Sequence, residues 1–246
     1  MTDSVRVLKT NISNTDIEYV SNSLSANKNL SVAICNSNTL VRCYNDEDLN
    51  EIINNFEIRC PDGFPVAKSI NFLYKKEQKR VDGFNVFHKT IEKGLKTNLS
   101  HYFYGNIDEV VEKMIIKLKE KYPNINILGY KCPEQNTYQA LASKEHINEI
   151  INLKPDIVWV SLGFPKQEQL ISIINKNYQL SSNFVGVGAV FEWVAGTKLK
   201  APEFIANLGL EWLLRLIQEP RRLFMRYFVD NTLFIIYFIK QYIRKK

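Results

Sequence analysis

Two short segments carry side chains whose types and spacing could do chemistry. The first, SLGFPKQEQL at residues 161–170, follows the apolar run DIVWV and places Lys166, Gln167 and Glu168 directly after Pro165. Proline suits the start of a helix, where unpaired N–H groups and a partial positive charge favour phosphate binding. Lys166 adds a cation and Gln167 a two-way hydrogen-bonding amide. The segment therefore predicts an anion site, although an ordinary strand-to-helix turn remains the alternative.

The second candidate is Asp62, in the segment CPDGFP at residues 60–65. Asp-Gly pairs are in the first place turn signals. This pair follows a segment predicted to be helical, and the flanking prolines hold the carboxylate in a rigid position. A carboxylate held in this way can act as a general base when its surroundings shift its pKa.

Metal chemistry is not favoured by the sequence. DED at 46–48 fits a D-x-D metal pattern, but an amphipathic helix begins directly after it, so Asp46 is interpreted as an N-cap. The three histidines lack ligand spacing, and the four cysteines form no C-x-x-C pair. We therefore expect no metal ion and no cofactor.

The elements that must position these groups alternate along the chain. Patterns typical of helices separate several strand-like runs, and one such helix is predicted to begin at an N-cap on Asn106 and another to occupy 138–152. Alternation of this kind predicts an α/β fold, a Rossmann-like parallel sheet with helices on both faces. Ligands bind at the carboxyl ends of such strands. Those ends are predicted at residues 36–38, 105–106, 129–132, 163–167 and from Gly188 onward. The strand-like runs lie at 30–36, 101–105, 125–130, 156–163 and 183–191.

The length and charge of the chain limit its possible domain organisation and location. The 246 residues fit one large α/β body, residues 1–200, with an appendage, residues 201–246. The net charge is +6, and the last 36 residues hold eight Lys/Arg against three Asp/Glu. The start lacks a secretory signal, and no apolar run reaches the roughly 18–20 residues that span a bilayer. We therefore expect a cytoplasmic protein that lies on a membrane surface.

The C-terminal segment is basic, aromatic and interrupted. Arg215, Arg222 and Arg226 would share one helical face, but Pro220 predicts two helices that meet there. A basic amphipathic tail favours binding to an anionic membrane surface. A buried helix pair with solvated arginines is the alternative. Nucleic-acid binding is not favoured, because the body adds no basic groove.

Taken together, these segments resemble the WecG/TagA/CpsF family of bacterial glycosyltransferases. The resemblance spans roughly residues 30–226 and depends on motifs in a fixed order. They are PDG at 61–63, RVDG at 80–83, PDIVWVSLGFPKQE at 155–168, GVGAVFEWVAG at 186–196, KAP at 200–202 and GLEWLLRLIQEPRRLFMRY at 209–227.

The resemblance implies a GT-E-like body and an inverting, metal-independent transfer of a hexose, such as N-acetylmannosamine, from a UDP-sugar to an undecaprenyl-diphosphate-linked sugar. It implies that the appendage docks on the inner face of the cytoplasmic membrane, and that copies of the chain can associate through the body. Asp62 would be the general base, Arg80 would lie near substrate phosphates, and Gln167 would contact the nucleotide sugar. Further substrate-binding residues would be Asn36, Gly163, Lys166, Glu168, Gly188, Glu192 and the diphosphate-binding Arg215, Arg222 and Arg226.

Three departures from the family pattern leave sugar specificity open. Glu192 and Asn85 stand where aspartate is common, and Lys200 replaces the usual arginine. Glucose, galactose or a uronic acid are therefore alternative donor sugars. A non-catalytic nucleotide-sugar binder is another alternative, against which Asp62 and Arg80 argue. A dehydrogenase would need a complete glycine fingerprint near the first strand, and AICNSNTL at 33–40 has none.

Overall fold

The computed structural model describes residues 3–134, 137–202, 205–206 and 209–245, without the side chains of residues 222 and 225–227. Within these ranges the strands have four to six residues each. Their bounds are β1 (Ser4–Val7), β2 (Thr10–Ser13), β3 (Ser31–Cys35), β4 (Ile58–Pro61), β5 (Ser100–Gly105), β6 (Asn126–Lys131), β7 (Ile157–Ser161) and β8 (Asn183–Gly186).

Six of these strands form one parallel sheet in the order β4-β3-β8-β7-β5-β6, whereas β1 and β2 form a separate antiparallel hairpin. Every residue of β5, β7 and β8 is buried. Continuous apolar runs such as IVWVS are typical of central parallel strands, which are covered on both faces. The predicted parallel α/β sheet is confirmed.

Helices cover both faces of the sheet. Four of them (α1, α5, α6 and α10 below) pack with one apolar cluster around Trp159, and α2, α3, α8 and α9 pack with a second cluster around Tyr102. The bounds are α1 (Ile17–Ala26), α2 (Ser37–Asn45), α3 (Glu47–Asn54), α4 (Phe64–Tyr74), α5 (Gly83–Gly94), α6 (Asp108–Lys121), α7 (Tyr138–Leu141), α8 (Lys144–Leu153), α9 (Lys166–Asn177), α10 (Val190–Ala195), α11 (Glu211–Gln218) and α12 (Pro220–Lys245).

Two boundary predictions were wrong. The strand expected over 183–191 ends at Gly186, and Val190 begins α10. A loop that contains Gly188, with φ of 55°, separates the two elements. The N-cap of α6 is Ile107 and not Asn106, whose φ of 66° lies outside the extended range of a capping residue. Asn106 donates from Nδ2 to Ser161 Oγ at 3.2 Å instead.

One strand was missed, and it is the one that aims Asp62. The apolar pattern of α3 ends at Phe56, and β4 follows at once over Ile58–Pro61, paired in parallel with β3. The Asp62 N–H then donates to the Cys35 carbonyl at 2.9 Å, which continues the ladder beyond the strand. Asp62 therefore lies at the carboxyl end of a strand, and not after a helix as the sequence suggested. Asp46 caps α3 as predicted, accepting from Leu49 N–H at 3.0 Å.

The C-terminal segment forms two helices that meet at Pro220, as predicted, because proline cannot continue the hydrogen bonds of α11. One face of α12 packs on the body: Phe234 is buried, and Tyr237 stacks on Tyr44 with ring centroids 4.0 Å apart. Gln241 accepts from the Leu8 N–H at 2.8 Å. Among the described residues, every helix is too short or too polar to cross a membrane.

Candidate active site

A cleft of about 480 Å³ lies at the carboxyl ends of the parallel strands, where a doubly wound sheet binds its ligands. Loops after all six strands of the parallel sheet contribute to its wall, and α11 borders it from the C-terminal segment. Most of the residues predicted from the sequence meet in this cleft. They are Asn36, Asp62, Gly163, Lys166, Gln167, Glu168, Gly188, Glu192 and Arg215.

Gln167 connects the two glycine loops of the cleft. Its side-chain oxygen accepts from the N–H groups of Gly163 and Gly188, both at 3.1 Å. Its side-chain nitrogen donates to Glu168 Oε1 at 2.9 Å. The space behind it is closed, because a Cβ on Gly186 would lie 2.8 Å from the Gln167 nitrogen. Gln167 therefore lines the cleft with its amide already engaged by protein groups, and its predicted contact with a nucleotide sugar stays a prediction.

Glu168 is buried in the first turn of α9, and its Oε2 atom has no hydrogen-bond partner in the described part of the chain. Burial raises the pKa of this carboxyl to about 7, against the smaller lowering effect of the Gln167 hydrogen bond. A carboxyl group in this state carries either a proton or an uncompensated charge. Because this atom is itself closed off from solvent, a bound substrate could pair with it only after the surrounding side chains move.

Asp62 is half-buried in the cleft wall, directly after β4. Burial is the largest cause that raises its pKa, followed by the negative charges of Glu211 and Asp82, and the value reaches about 7. The positive charge of Arg80 and a hydrogen bond from the Gly63 backbone act in the opposite direction. A carboxylate with a pKa near neutrality is a far stronger base than an exposed aspartate and is still partly ionised at neutral pH.

Arg80 lies behind Asp82 and lines a neighbouring cavity instead of the cleft itself. Its guanidinium pairs with Glu211 Oε2 at 2.5 Å and with Asp82 Oδ2 at 3.4 Å. Asp82 also caps α5, accepting from the Asn85 N–H at 3.1 Å. The predicted approach of Arg80 to a substrate phosphate therefore stays a prediction, since both of its acid partners in the structure are protein carboxylates.

Arg215 and Lys198 also line the cleft. The guanidinium of Arg215 lies over the Trp193 ring, 5.2 Å from its centroid. Lys198 pairs with Glu192 Oε1 at 2.6 Å and with Glu219 Oε1 at 2.5 Å, so Glu192 is engaged with a lysine. The predicted Arg222 and Arg226 side chains lie outside the described residues.

Sequence reasoning missed several residues of this site. Asp82 and Glu211 belong to the motifs RVDG and GLEW but carried no role, and Lys198 was not predicted to line the cleft. All three line the cleft, as does Asn106, which the sequence placed at a strand end where ligands bind. The motifs themselves were the only signal that could have identified the first two, because the contacts join segments far apart in the chain.

The arrangement combines a base with a pKa near neutrality, a helix N-terminus and an arginine around one cleft of a parallel α/β sheet. It is typical of an enzyme that transfers a group from a phosphorylated donor, in which charge develops on the departing phosphate.

The chain belongs to the glycosyl transferase WecG/TagA/CpsF family, whose sequence model matches residues 5–246. It is a glycosyltransferase. Three relatives share the name N-acetylglucosaminyldiphosphoundecaprenol N-acetyl-beta-D-mannosaminyltransferase. The protein of Bacillus subtilis (strain 168) is 28% identical, over 72% of this chain and 67% of its own length. That of Bacillus spizizenii is 27% identical over 81% and 75%, and that of Staphylococcus aureus (strain MW2) is 29% identical over 70% and 66%.

Proposed function

We propose that this enzyme transfers N-acetylmannosamine from UDP-N-acetylmannosamine to N-acetylglucosamine linked to undecaprenyl diphosphate, with inversion at the anomeric carbon. The names of the three relatives support the sugar and the lipid acceptor. The observation that carries the chemistry is the position of Asp62, a carboxylate with a pKa of about 7 in the wall of the cleft. This reaction serves the assembly of a cell-surface polymer such as teichoic acid or capsule.

Asp62 takes the proton from an acceptor hydroxyl as that oxygen attacks the anomeric carbon. The new C–O bond forms as the bond from the anomeric carbon to the diphosphate oxygen breaks, and UDP leaves with the bonding electrons. Direct attack from the opposite side of the sugar inverts its configuration. Glu168 and the α9 N-terminus lie on the cleft side away from β4, which leaves Asp62 to face the acceptor.

The departing diphosphate needs positive charge, and we propose that protein groups supply it without a metal ion. Arg215 and Lys166 line the cleft, and the N-terminus of α9 adds aligned N–H dipoles. Fixed donors of this kind stabilise charge that develops in the transition state, because they need no reorganisation when the bond breaks. The arginine fork also matches two phosphate oxygens at once.

The donor and metal requirements are tested together by measuring UDP release with a prenyl-diphosphate-linked N-acetylglucosamine acceptor. The donors are UDP-N-acetylmannosamine, UDP-N-acetylglucosamine, UDP-glucose, UDP-galactose and a UDP-uronic acid, each with and without EDTA. We expect acceptor-dependent release from UDP-N-acetylmannosamine, unchanged by EDTA. Release from another donor alone would overturn the sugar assignment, and loss of release in EDTA that added Mg²⁺ restores would overturn metal independence.

We also propose that α12 binds the anionic inner face of the cytoplasmic membrane, where a lipid-linked acceptor lies. Its face opposite the body is apolar and exposed, which supports this proposal. The residues on it recur at four- or seven-residue spacing, as one face of a helix requires. They are Phe224, Phe228, Ile235, Ile239 and Ile243, each between 49% and 67% exposed.

Replacing Phe228 and Ile243 together by serine is expected to lower binding to phosphatidylglycerol-containing vesicles at least about tenfold in a sedimentation assay. The physical reason is the loss of burial that contributes about 1.5–3 kcal/mol for each large apolar side chain. The matched control is Ile116→Ser, because Ile116 is 58% exposed on α6, away from the C-terminal segment. Equal losses in the control and the double variant would contradict the assignment of α12.

A further inference from the structure

The first residue of α11, Glu211, contacts Arg80 and lines the same cleft as Asp62. Glu211 pairs with Arg80, 131 positions earlier, at 2.5 Å. The contact is well shielded from solvent, since the two side chains are only 12% and 21% exposed. The C-terminal segment thus supplies a carboxylate whose charge acts on Asp62 and which pairs with Arg80.

The other end of α11 is fixed by different contacts, which do not involve Asp62 or Arg80. Lys198 pairs with Glu219, and the Gln218 amide exchanges hydrogen bonds of 3.0 Å with the Leu199 N–H and carbonyl. Both ends of α11 are therefore attached to the body, but only the Glu211 end is coupled to the base. This difference provides a matched pair of positions for an experiment.

Arg80 has two ways to satisfy its charge near the base. In the structure its guanidinium is held by Glu211 and Asp82, and Asp62 forms no ion pair with it. Without Glu211, Arg80 would lose one of its two carboxylate partners. Asp62 is the neighbouring acid whose charge already interacts with Arg80, so Arg80 would pair with Asp62 instead. An aspartate paired with arginine holds its proton weakly and makes a poor base.

We infer that Glu211 is a positioning residue that keeps Asp62 available as the base, by holding Arg80 away from it and by adding a negative charge nearby. The inference depends on the proposed role of Asp62 and extends it to the C-terminal segment. Asp62 is then strongly basic only when α11 is docked on the body. A chain with α11 undocked holds Asp62 in a weakly basic state.

Other charged groups also face Asp62 and must be held constant. They come from each element around the cleft. After burial, the charge of Glu211 is the largest cause that raises the pKa of Asp62. The remaining groups are Arg80 and Asp82 before α5, Glu134 after β6, Lys166 and Glu168 of α9, Glu192 of α10, Lys198 after α10 and Arg215 of α11.

The test measures the proton affinity of Asp62 without using activity. Melting temperatures of the full chain are compared with and without Asp62→Asn at pH 5 to 9, in wild type and in Glu211→Gln, Glu211→Asp and Glu219→Gln backgrounds. The stabilisation by Asp62→Asn should level off near pH 7 in wild type and about one pH unit lower in Glu211→Gln. Glu211→Asp, which keeps the charge, should restore most of the shift.

Activity provides the second measurement. The acid limb of kcat should move down by the same amount in Glu211→Gln, with kcat at its plateau lowered about threefold because a weaker base transfers the proton less well. Glu219→Gln should leave the pH of the acid limb unchanged, although it also loosens α11. An unshifted limb and unshifted melting profile in Glu211→Gln would overturn the inference. Survival of transfer in Asp62→Asn would overturn the proposed base instead, whatever the melting profiles show.

Discussion

Replacing Asp62 by asparagine is expected to lower kcat for sugar transfer about 10³-fold while leaving the KM for the donor within about twofold. A positioned general base contributes roughly 10²- to 10⁴-fold, and asparagine cannot accept the proton of the attacking hydroxyl. The donor contacts are retained, so the loss belongs to the chemical step. Steady-state UDP release at saturating acceptor measures both parameters. Asp48→Asn, an exposed acid in the first turn of α3, is the control and should behave as wild type.

The same variant should be more stable than wild type at alkaline pH. The pKa of Asp62 is about 7 in the folded chain, above its usual 3.8, so the folded state binds this proton more tightly than the unfolded state does. Its favourable contribution is complete at low pH and is lost as the pH rises through about 7. Asparagine does not ionise, so the variant does not lose this contribution to stability as the pH rises. The advantage in Tm should therefore grow between pH 5 and 7 and then level off.

Opposite signs in the two measurements separate a catalytic carboxylate from a structural one. Replacing an aspartate that has a structural role would lower the stability of the protein, because the hydrogen bonds or ion pairs of that aspartate would be lost. Equal Tm values for variant and wild type across this pH range would contradict the raised pKa. Unchanged kcat would remove Asp62 from the mechanism, whatever its effect on stability.

The sequence predicted the central strands well, for a physical reason. β5 and β7 are covered on both faces, so their apolar residues are continuous and stand out from the helical periodicity around them. β4 was missed because a strand of four residues is too short to show a clear alternation of apolar and polar residues. In addition, Phe56 continues the helical spacing of the apolar residues of α3 almost to the start of β4. The strand over 183–191 was predicted too long, since Val187 and Val190 are buried in a loop and a helix.

The site was predicted in its parts but not in its connections. Gln167 follows a strand that the sequence predicted, so the sequence placed it at the ligand-binding edge of the sheet. Asp62 was selected for its chemistry alone, since the strand that positions it was missed. Their partners were not predictable in this way. The ion pair of Arg80 with Glu211 joins residues 131 positions apart, and the amide of Gln167 reaches Gly188 across two loops. Such contacts depend on how α11 and the loops pack, which no local pattern encodes.

Arg215→Ala is expected to lower kcat about 10²- to 10³-fold, with a smaller change in KM. Loss of UDP concentrates negative charge on the diphosphate in the transition state, and removing one fixed donor to such a charge costs about 3–4 kcal/mol. Arg215 is the arginine of α11 that lines the cleft, where Trp193 supports its guanidinium at 5.2 Å. The measurement is acceptor-dependent UDP release at saturating donor.

Two further variants show whether geometry or charge alone carries this effect. Arg215→Lys keeps the charge but loses the planar fork that stacks on Trp193 and holds two phosphate oxygens, so kcat should fall to an intermediate level. Arg221→Ala removes an exposed arginine just beyond Pro220 and should leave kcat within about twofold. Equal losses for Arg215→Ala and Arg221→Ala would mean that net charge on the C-terminal segment matters, and not a guanidinium aimed at the leaving group. An Arg215→Lys enzyme with the kcat of wild type would contradict the role of the planar guanidinium, because a point charge would then be enough.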